Sequence, residues 1–148
     1  MKKPEQLRKL LEQSSLFIKT DPDKLHIFIE DGNIIATAAK SLSYEYQYKL
    51  NIVLLDYGES IDSLMVPVIA WMYVHQQEYM GNPELRAEAI KLDIEHLNNK
   101  SYDIGITLSL SERVIVQMGA NGLEYKHVSD NPPEYMIPQW AKEICQMY

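Results

Sequence analysis

Two small groups of residues in this sequence have side chains and a spacing that could support metal binding or acid–base chemistry. The first is His75 and Glu78, which would lie one turn apart on a helix and present two ligand-type side chains. A closed metal site needs one or two further ligands, and no neighbouring residue in the sequence supplies them. A histidine at the end of a helix therefore explains His75 better than a metal ligand does.

The second group is Asp93, Glu95 and His96, residue types that serve in general acid–base catalysis. In a strand, alternation places Asp93 and Glu95 on one face and His96 on the other. Nothing nearby in the sequence indicates the apolar pocket that would raise a carboxyl pKa toward neutrality. A solvated strand face is the favoured interpretation, and a hydrolase that uses these three residues is kept as a minor alternative.

Other chemical signatures are weak or absent from the sequence. Asp56, Glu59 and Asp62 precede a predicted helix, where negative charge complements the helix dipole without a bound cation. The single cysteine, Cys145, cannot form an intramolecular disulfide and fits a reducing compartment. There is no glycine-rich nucleotide loop and no nucleophile elbow of a serine hydrolase. We therefore expect no enzymatic activity, no metal and no other cofactor.

The composition is that of an ordinary folded protein with an acidic balance. Its 148 residues, of which 46% are hydrophobic and 24% charged, suffice for one domain with its own core. The net charge of −7 argues against a nucleic-acid partner, which needs a positive surface. The sequence shows no signal peptide and no apolar stretch long enough to cross a membrane, so we expect a cytoplasmic protein.

The spacing of apolar residues predicts an α+β fold that would position these groups. Helices are expected at residues 4–18, 60–79 and 138–147, with a helical turn at 83–86. Pro67 is expected in a first turn, so the regular part of the second helix should begin near Ser63. Strands are expected at residues 24–30, 34–38, 44–57, 90–95, 104–110 and 114–118, the first two joined by a hairpin turn at Asp31–Gly32, and residues 123–128 are a candidate for a further, final strand. The prediction is a mixed, largely antiparallel sheet of about five to six strands with helices packed on it.

Three tyrosines mark the strand at residues 44–57 as a candidate interface. Tyr44, Tyr46 and Tyr48 occupy alternate positions and would share one face of the strand. Tyrosine supplies stiff, amphipathic contact area that protein interfaces favour, although the same three rings would also fit beneath a helix. Both interpretations remain open, with a slight preference for a partner.

The first twenty residues form a basic arm on an otherwise acidic chain. The candidate contact residues in this arm are Lys2, Lys3, Arg8 and Lys9. Such an arm could dock head to tail on an acidic patch of a second copy, and a solvated helix face is the alternative.

Several segments, in order along the chain, resemble the tail completion protein R family of P2-like contractile-tailed phages. They are Met1–Pro4, Leu7, Leu10–Leu11, Ser41–Asn51, Leu64–Trp71, Asn82–Glu84, Leu97–Asn99 and Leu110–Val116. The resemblance covers residues 1–118, and no distinctive match follows Gly119. It implies a structural protein without catalytic residues that finishes the tail at its head-proximal end. Because related tail terminators form hexameric rings on the tube, it also implies self-association in a ring.

The length predicts a single domain, residues 1–148, and the resemblance implies that it acts as a structural tail completion protein of a phage or prophage. It would dock on the tail tube protein as a ring, contact other tail and neck proteins, and prepare head joining. It would occupy the host bacterial cytoplasm during assembly and the virion tail afterwards. The alternative is an intracellular adaptor or regulator that binds a protein partner through the face of Tyr44, Tyr46 and Tyr48.

Overall fold

The computed structural model describes residues 1–38, 40–128 and 137–146, and in them it places six helices and five strands. The helices are α1 (Lys3–Ser14), α2 (Leu16–Thr20), α3 (Ile61–His75), α4 (Gln77–Met80), α5 (Pro83–Ala89) and α6 (Gln139–Gln146), with a 3-10 turn at Pro22–Lys24. The strands are β1 (Leu25–Ala36), β2 (Tyr44–Tyr57), β3 (Ile90–Asn98), β4 (Ser101–Gly119) and β5 (Gly122–His127). None of the helices in the described ranges is both long and apolar enough to span a membrane.

The five strands form one antiparallel sheet in the order β1-β2-β4-β3, with β5 also paired to β4. The long strand β4 is the centre of the sheet: β3 pairs with its residues 101–108 and β5 with its residues 114–119. Val114 pairs with both β2 and β5, so β5 lies on the same edge of β4 as β3. The predicted α+β fold with a largely antiparallel sheet is confirmed.

The hydrophobic core lies between this sheet and the helices α1 and α3. Alternation along the strands places one set of side chains on the helix-covered face, and helical spacing supplies the opposing set. The fully buried aliphatic side chains include Leu7 and Leu11 of α1, Leu64 of α3, Leu50, Ile52 and Leu54 of β2, and Ile104, Ile106 and Leu108 of β4. Each such side chain contributes about 1.5–3 kcal/mol through removal from water, which makes this layer the main source of stability.

The predicted hairpin turn at Asp31–Gly32 is wrong, because β1 continues through it. The register between β1 and β2 shifts between Glu30 and Asn33, and Asp31 adopts a left-handed φ of 51°. The one extra residue on β1 is accommodated as a β-bulge, since β2 pairs with β1 on both sides of the shift. The predicted strands at 24–30 and 34–38 are therefore one strand with an irregularity.

The predicted break within residues 104–118 is also wrong. The polar run Ser111–Arg113 stays in the ladder, opposite Gln47, Tyr46 and Glu45 of β2. Strands 104–110 and 114–118 are therefore parts of β4. Ser111 and Glu112 can remain in a buried strand because their polar groups form hydrogen bonds with residues elsewhere in the fold.

Two predicted helices are each interrupted by one residue. Residues 4–18 break at Ser15, whose Oγ accepts a hydrogen bond from the Ile18 N–H at 3.4 Å and caps α2. Residues 60–79 break at Gln76, which separates α3 from α4. Pro67 lies inside α3 and not in its first turn, since the helix already begins at Ile61, which packs on the core.

Candidate interaction surfaces

The three tyrosines of β2 share a face, but Tyr48 belongs to the interior. Tyr48 is only 4% exposed and lies opposite Leu110. Its Oη donates a hydrogen bond to Oε2 of Glu112 at 2.6 Å. A side chain in this position fills the core, so the monomer offers no contact area to a partner through Tyr48.

Tyr44 and Tyr46 are half-buried at the end of the sheet beyond Tyr48. Their rings meet edge to face with centroids 5.2 Å apart, and their hydroxyl oxygens lie 3.2 Å apart. Tyr46 also packs against the core, while Ile34, its partner on β1, is 67% exposed. We call Ile34, Tyr44 and Tyr46 the tyrosine patch, a surface on which aromatic and aliphatic groups are partly open to solvent.

Lys3, predicted as a contact residue, is 7% exposed and lies inside the domain. Its Nζ donates hydrogen bonds of 2.7 Å each to the carbonyl oxygens of His75 and Ser111. The prediction of an exposed basic Lys3 is thus corrected. Its ammonium group donates hydrogen bonds to two carbonyl oxygens inside the fold, and buried carbonyl groups need such donors.

The other basic residues of the arm lie at or near the surface of α1. Arg8 lies 3.6 Å from Glu12 and Lys9 lies 3.4 Å from Glu5, each pair spanning one helical turn, while Lys2 is exposed. Exposed pairs of this kind contribute only a few tenths of a kcal/mol and exchange partners easily. The contact role of Lys2, Arg8 and Lys9 stays a prediction.

Glu112 is the centre of a buried polar cluster that the sequence analysis missed. It is 5% exposed and accepts hydrogen bonds from the backbone N–H groups of Lys2 at 2.7 Å and Lys3 at 3.4 Å. The Nδ1 of His127 lies 3.7 Å from the same carboxylate. A carboxylate at the N-terminus of α1 satisfies helical N–H groups that lack internal partners and complements the helix dipole. Glu112 therefore fastens the start of the chain to the central strand.

Side chains also close a gap in the edge of β4. Among the residues that the structure describes, β3 and β5 leave residues 109–113 of this edge without a neighbouring strand. Gln76 Oε1 accepts from the Ser111 N–H at 2.7 Å, and Lys3 Nζ donates to the Ser111 carbonyl at 2.7 Å. The backbone groups of Ser111 thus have the partners that a strand would otherwise provide. Their distance along the chain explains why no sequence pattern revealed them.

The residues that suggested metal chemistry do not converge. His75 is the last residue of α3, as predicted, and its ring packs on Trp71 with centroids 4.8 Å apart. Glu78 lies beyond the break at Gln76, and its Oε2 is 3.3 Å from the Ser111 hydroxyl. Within residues 1–38, 40–128 and 137–146, no three His, Cys, Asp or Glu side chains are grouped to hold a metal ion.

The residues that suggested acid–base chemistry lie on an exposed strand. Asp93 and Glu95 are exposed on β3, and His96 packs on Tyr102 with ring centroids 4.9 Å apart. A solvated carboxylate on a strand face lacks the burial that tunes an acid for catalysis. The hydrolase alternative gains no support from this arrangement.

The acidic cluster before α3 is explained by contacts within the chain. Glu59 accepts hydrogen bonds from the Phe17 N–H at 3.1 Å and the Ser15 hydroxyl at 3.2 Å, which places it at the start of α2. Asp56 lies 3.6 Å from Lys24, and Asp62 is in the first turn of α3. Helix termini and one ion pair thus account for these carboxylates.

The buried phenol of Tyr48 predicts a loss of stability at alkaline pH. Burial, then the hydrogen bond to Glu112 and its negative charge, raise the pKa of Tyr48 above the ordinary value. The folded state therefore keeps a proton that the unfolded chain releases, so stability is intact below about pH 10 and falls above it. We expect a loss of up to about 1.4 kcal/mol per pH unit above that point, measured by urea unfolding. Tyr48→Phe should make the slope shallower, and an unchanged slope in this variant would contradict the assignment.

Two comparisons with known proteins agree with each other. The family model of P2 phage tail completion protein R (GpR) matches residues 1–134. The chain is 38% identical, over 133 residues, to the tail completion protein R of Escherichia phage P2, a match that covers 90% of this chain and 86% of that protein. No solved structure matches significantly. The family match passes residue 118, where the resemblance in sequence ended, and includes β5.

Proposed function

Since the chain belongs to the P2 phage tail completion protein R family, we propose that it docks at the head-proximal end of the tail tube, closes there as a ring and prepares the tail for head joining. The observation that carries this proposal is the 38% identity to a tail completion protein over most of both chains. The family is one of structural tail proteins, and we propose no catalytic role for this chain. Its place would be the host cytoplasm before assembly and the virion tail afterwards.

Exposed apolar groups at one end of the sheet support docking on another protein. The β4–β5 hairpin carries Met118, Leu123 and Tyr125, which are 75%, 52% and 63% exposed. This hairpin extends from the same end of the sheet as the tyrosine patch, because Val114 pairs with both Tyr44 and the last residue of β5. Exposed apolar side chains that cluster on a protein surface are typical of sites that bind other proteins. We propose that the tyrosine patch and this hairpin together contact the tube protein.

The free protein is expected to be a monomer or a weak oligomer. Mass action favours this state, because a ring that closed tightly before meeting the tube could not respond to the tube end. The adaptor alternative is weakened by the burial of Tyr48, which removes one of the three side chains on which it depended.

A binding experiment with polymerised tubes of the cognate phage tests the proposal. We expect gold-labelled protein at one end of each tube in electron micrographs, with ring-shaped density there. In the same phage, deletion of the gene should leave unfinished tails that the plasmid-borne gene restores. Label along the full tube length, or no label at all, would contradict the proposal.

A further inference from the structure

Strands β1 and β3 form opposite edges of the sheet, and their regularly paired segments are similar in length and lie at the same height along the strand direction. Within the described part of the chain, β1 pairs with β2 alone and β3 with β4 alone. The regular ladder of β1 ends at the bulge after Glu30, and that of β3 ends at the shift after His96. Leu25 and Ile94 flank the Leu54–Ile104 pair from opposite sides, so residues 25–29 and 90–94 lie at the same level on the two opposite edges of the sheet.

The two edge strands run in opposite directions, because three antiparallel pairings separate them. The β1 edge of one copy can therefore meet the β3 edge of another as an antiparallel pair, with the sheet faces aligned. Backbone groups along a free edge are donors and acceptors ready to bind a further strand. The backbone of this sheet is thus compatible with head-to-tail extension.

Among the residues that the structure describes, none fully covers the apolar side chains of Leu92 and Ile94 on β3. Leu92 and Ile94 are 46% and 41% exposed, although they share a face with the buried Ile106 and Ile104 beside them. If two copies meet without a shift along the strand direction, Leu92 of one copy lies opposite Ile27 of the next, and Ile94 lies opposite Leu25. Cross-strand apolar pairs of this kind stabilise the pairing of two strands.

The other face of these edges brings polar, aromatic and charged side chains opposite one another in the same register. His26 lies opposite Asp93, and Phe28 opposite Lys91, with Glu30 diagonal to Lys91. Lys91 now lies 3.2 Å from Glu88 in an exposed pair, which costs little to exchange. One pair of opposite charges, Glu30 and Lys91, therefore meets at the contact and favours this register.

We propose that copies of this protein join edge to edge, with β1 of one copy antiparallel to β3 of the next, and that this contact closes the ring. The inference rests on the ring of the proposed function. Only a heterologous contact repeats around a rotation axis until it closes, whereas pairing of β1 with β1 about a twofold axis stops at a dimer.

A pair of cysteines placed across the contact tests this proposal. The double variant His26→Cys with Asp93→Cys, made in a Cys145→Ser background and bound to tubes, is mildly oxidised and run on a non-reducing gel. We expect a ladder of covalent oligomers that ends at the ring. The matched control, His26→Cys with Glu84→Cys, places its second thiol on the exposed α5 and should give no ladder. The single variant His26→Cys reports β1–β1 pairing, and a dimer as its main product would overturn the proposal.

Electron microscopy of the same samples distinguishes failure of the edge contact from failure of the proposed function. Rings at tube ends without a ladder from the 26–93 pair would refute the edge contact and leave the tail completion role intact. Wild-type protein that neither binds tube ends nor forms rings would refute the proposed function, and the edge contact with it.

Discussion

Replacing Glu112 with leucine should lower the free energy of unfolding by about 3–5 kcal/mol, because it removes one member of a buried, hydrogen-bonded charge cluster. The Tyr48 hydroxyl, now 2.6 Å from the carboxylate, would lose its acceptor inside the core. The N–H groups of Lys2 and Lys3 would lose theirs at the start of α1. Urea denaturation followed by circular dichroism measures the effect.

Two further variants show that this loss comes from the cluster and not from a change of glutamate in general. Glu112→Gln keeps an acceptor oxygen and the shape but removes the charge at the helix terminus, so about 1–2 kcal/mol should be lost. Glu124→Leu, at an exposed position on β5, should stay within about 0.5 kcal/mol of the parent. Equal losses for Glu112→Leu and Glu124→Leu would contradict the role assigned to Glu112.

The part of the fold that local sequence determines was predicted well. Strand β2 has the predicted limits of 44 and 57, since its period-2 pattern is long and its first half alternates polar and apolar residues. The break that local turn chemistry predicts at Asp31–Gly32 is wrong, and so is the predicted break between residues 110 and 114. At each place the long neighbouring strand β2 continues to pair with the chain. A short stretch of sequence does not show which strand will pair with it.

The predicted contact residues also show that local sequence patterns do not reveal long-range contacts. Alternation placed the three tyrosines on one face, but it could not say which of them a helix covers. The Tyr48 hydroxyl can lie in the interior because it donates a hydrogen bond to Glu112, from a strand far along the chain. Lys3 is interior because carbonyls of His75 and Ser111 lie beside its ammonium group. Contacts of this separation are set by topology, and a pattern of charges near the N-terminus does not reveal them.

Tyr48→Ala should cost much more stability than Tyr46→Ala, although the two residues are neighbours on one strand face. Tyr48→Ala removes a fully enclosed ring and leaves a cavity, so we expect a loss of about 3–5 kcal/mol in the free energy of unfolding. Tyr46 is half-buried and packs on the core only in part. Its truncation should cost about 1–2 kcal/mol and leave a folded protein. Thermal and urea unfolding of both variants measure this difference.

The tube assay then decides what the exposed part of Tyr46 does. If the tyrosine patch contacts the tube, Tyr46→Ala should weaken binding by about 2 kcal/mol or more, roughly thirtyfold, while remaining folded at the assay temperature. Tyr48→Phe is the matched control, since it removes a hydroxyl from the interior, keeps the ring and leaves the surface as it was. Its binding to tube ends should equal that of the wild type. Full binding by a folded Tyr46→Ala protein would show that the patch serves the monomer alone, because the same truncation would then have altered packing without altering assembly.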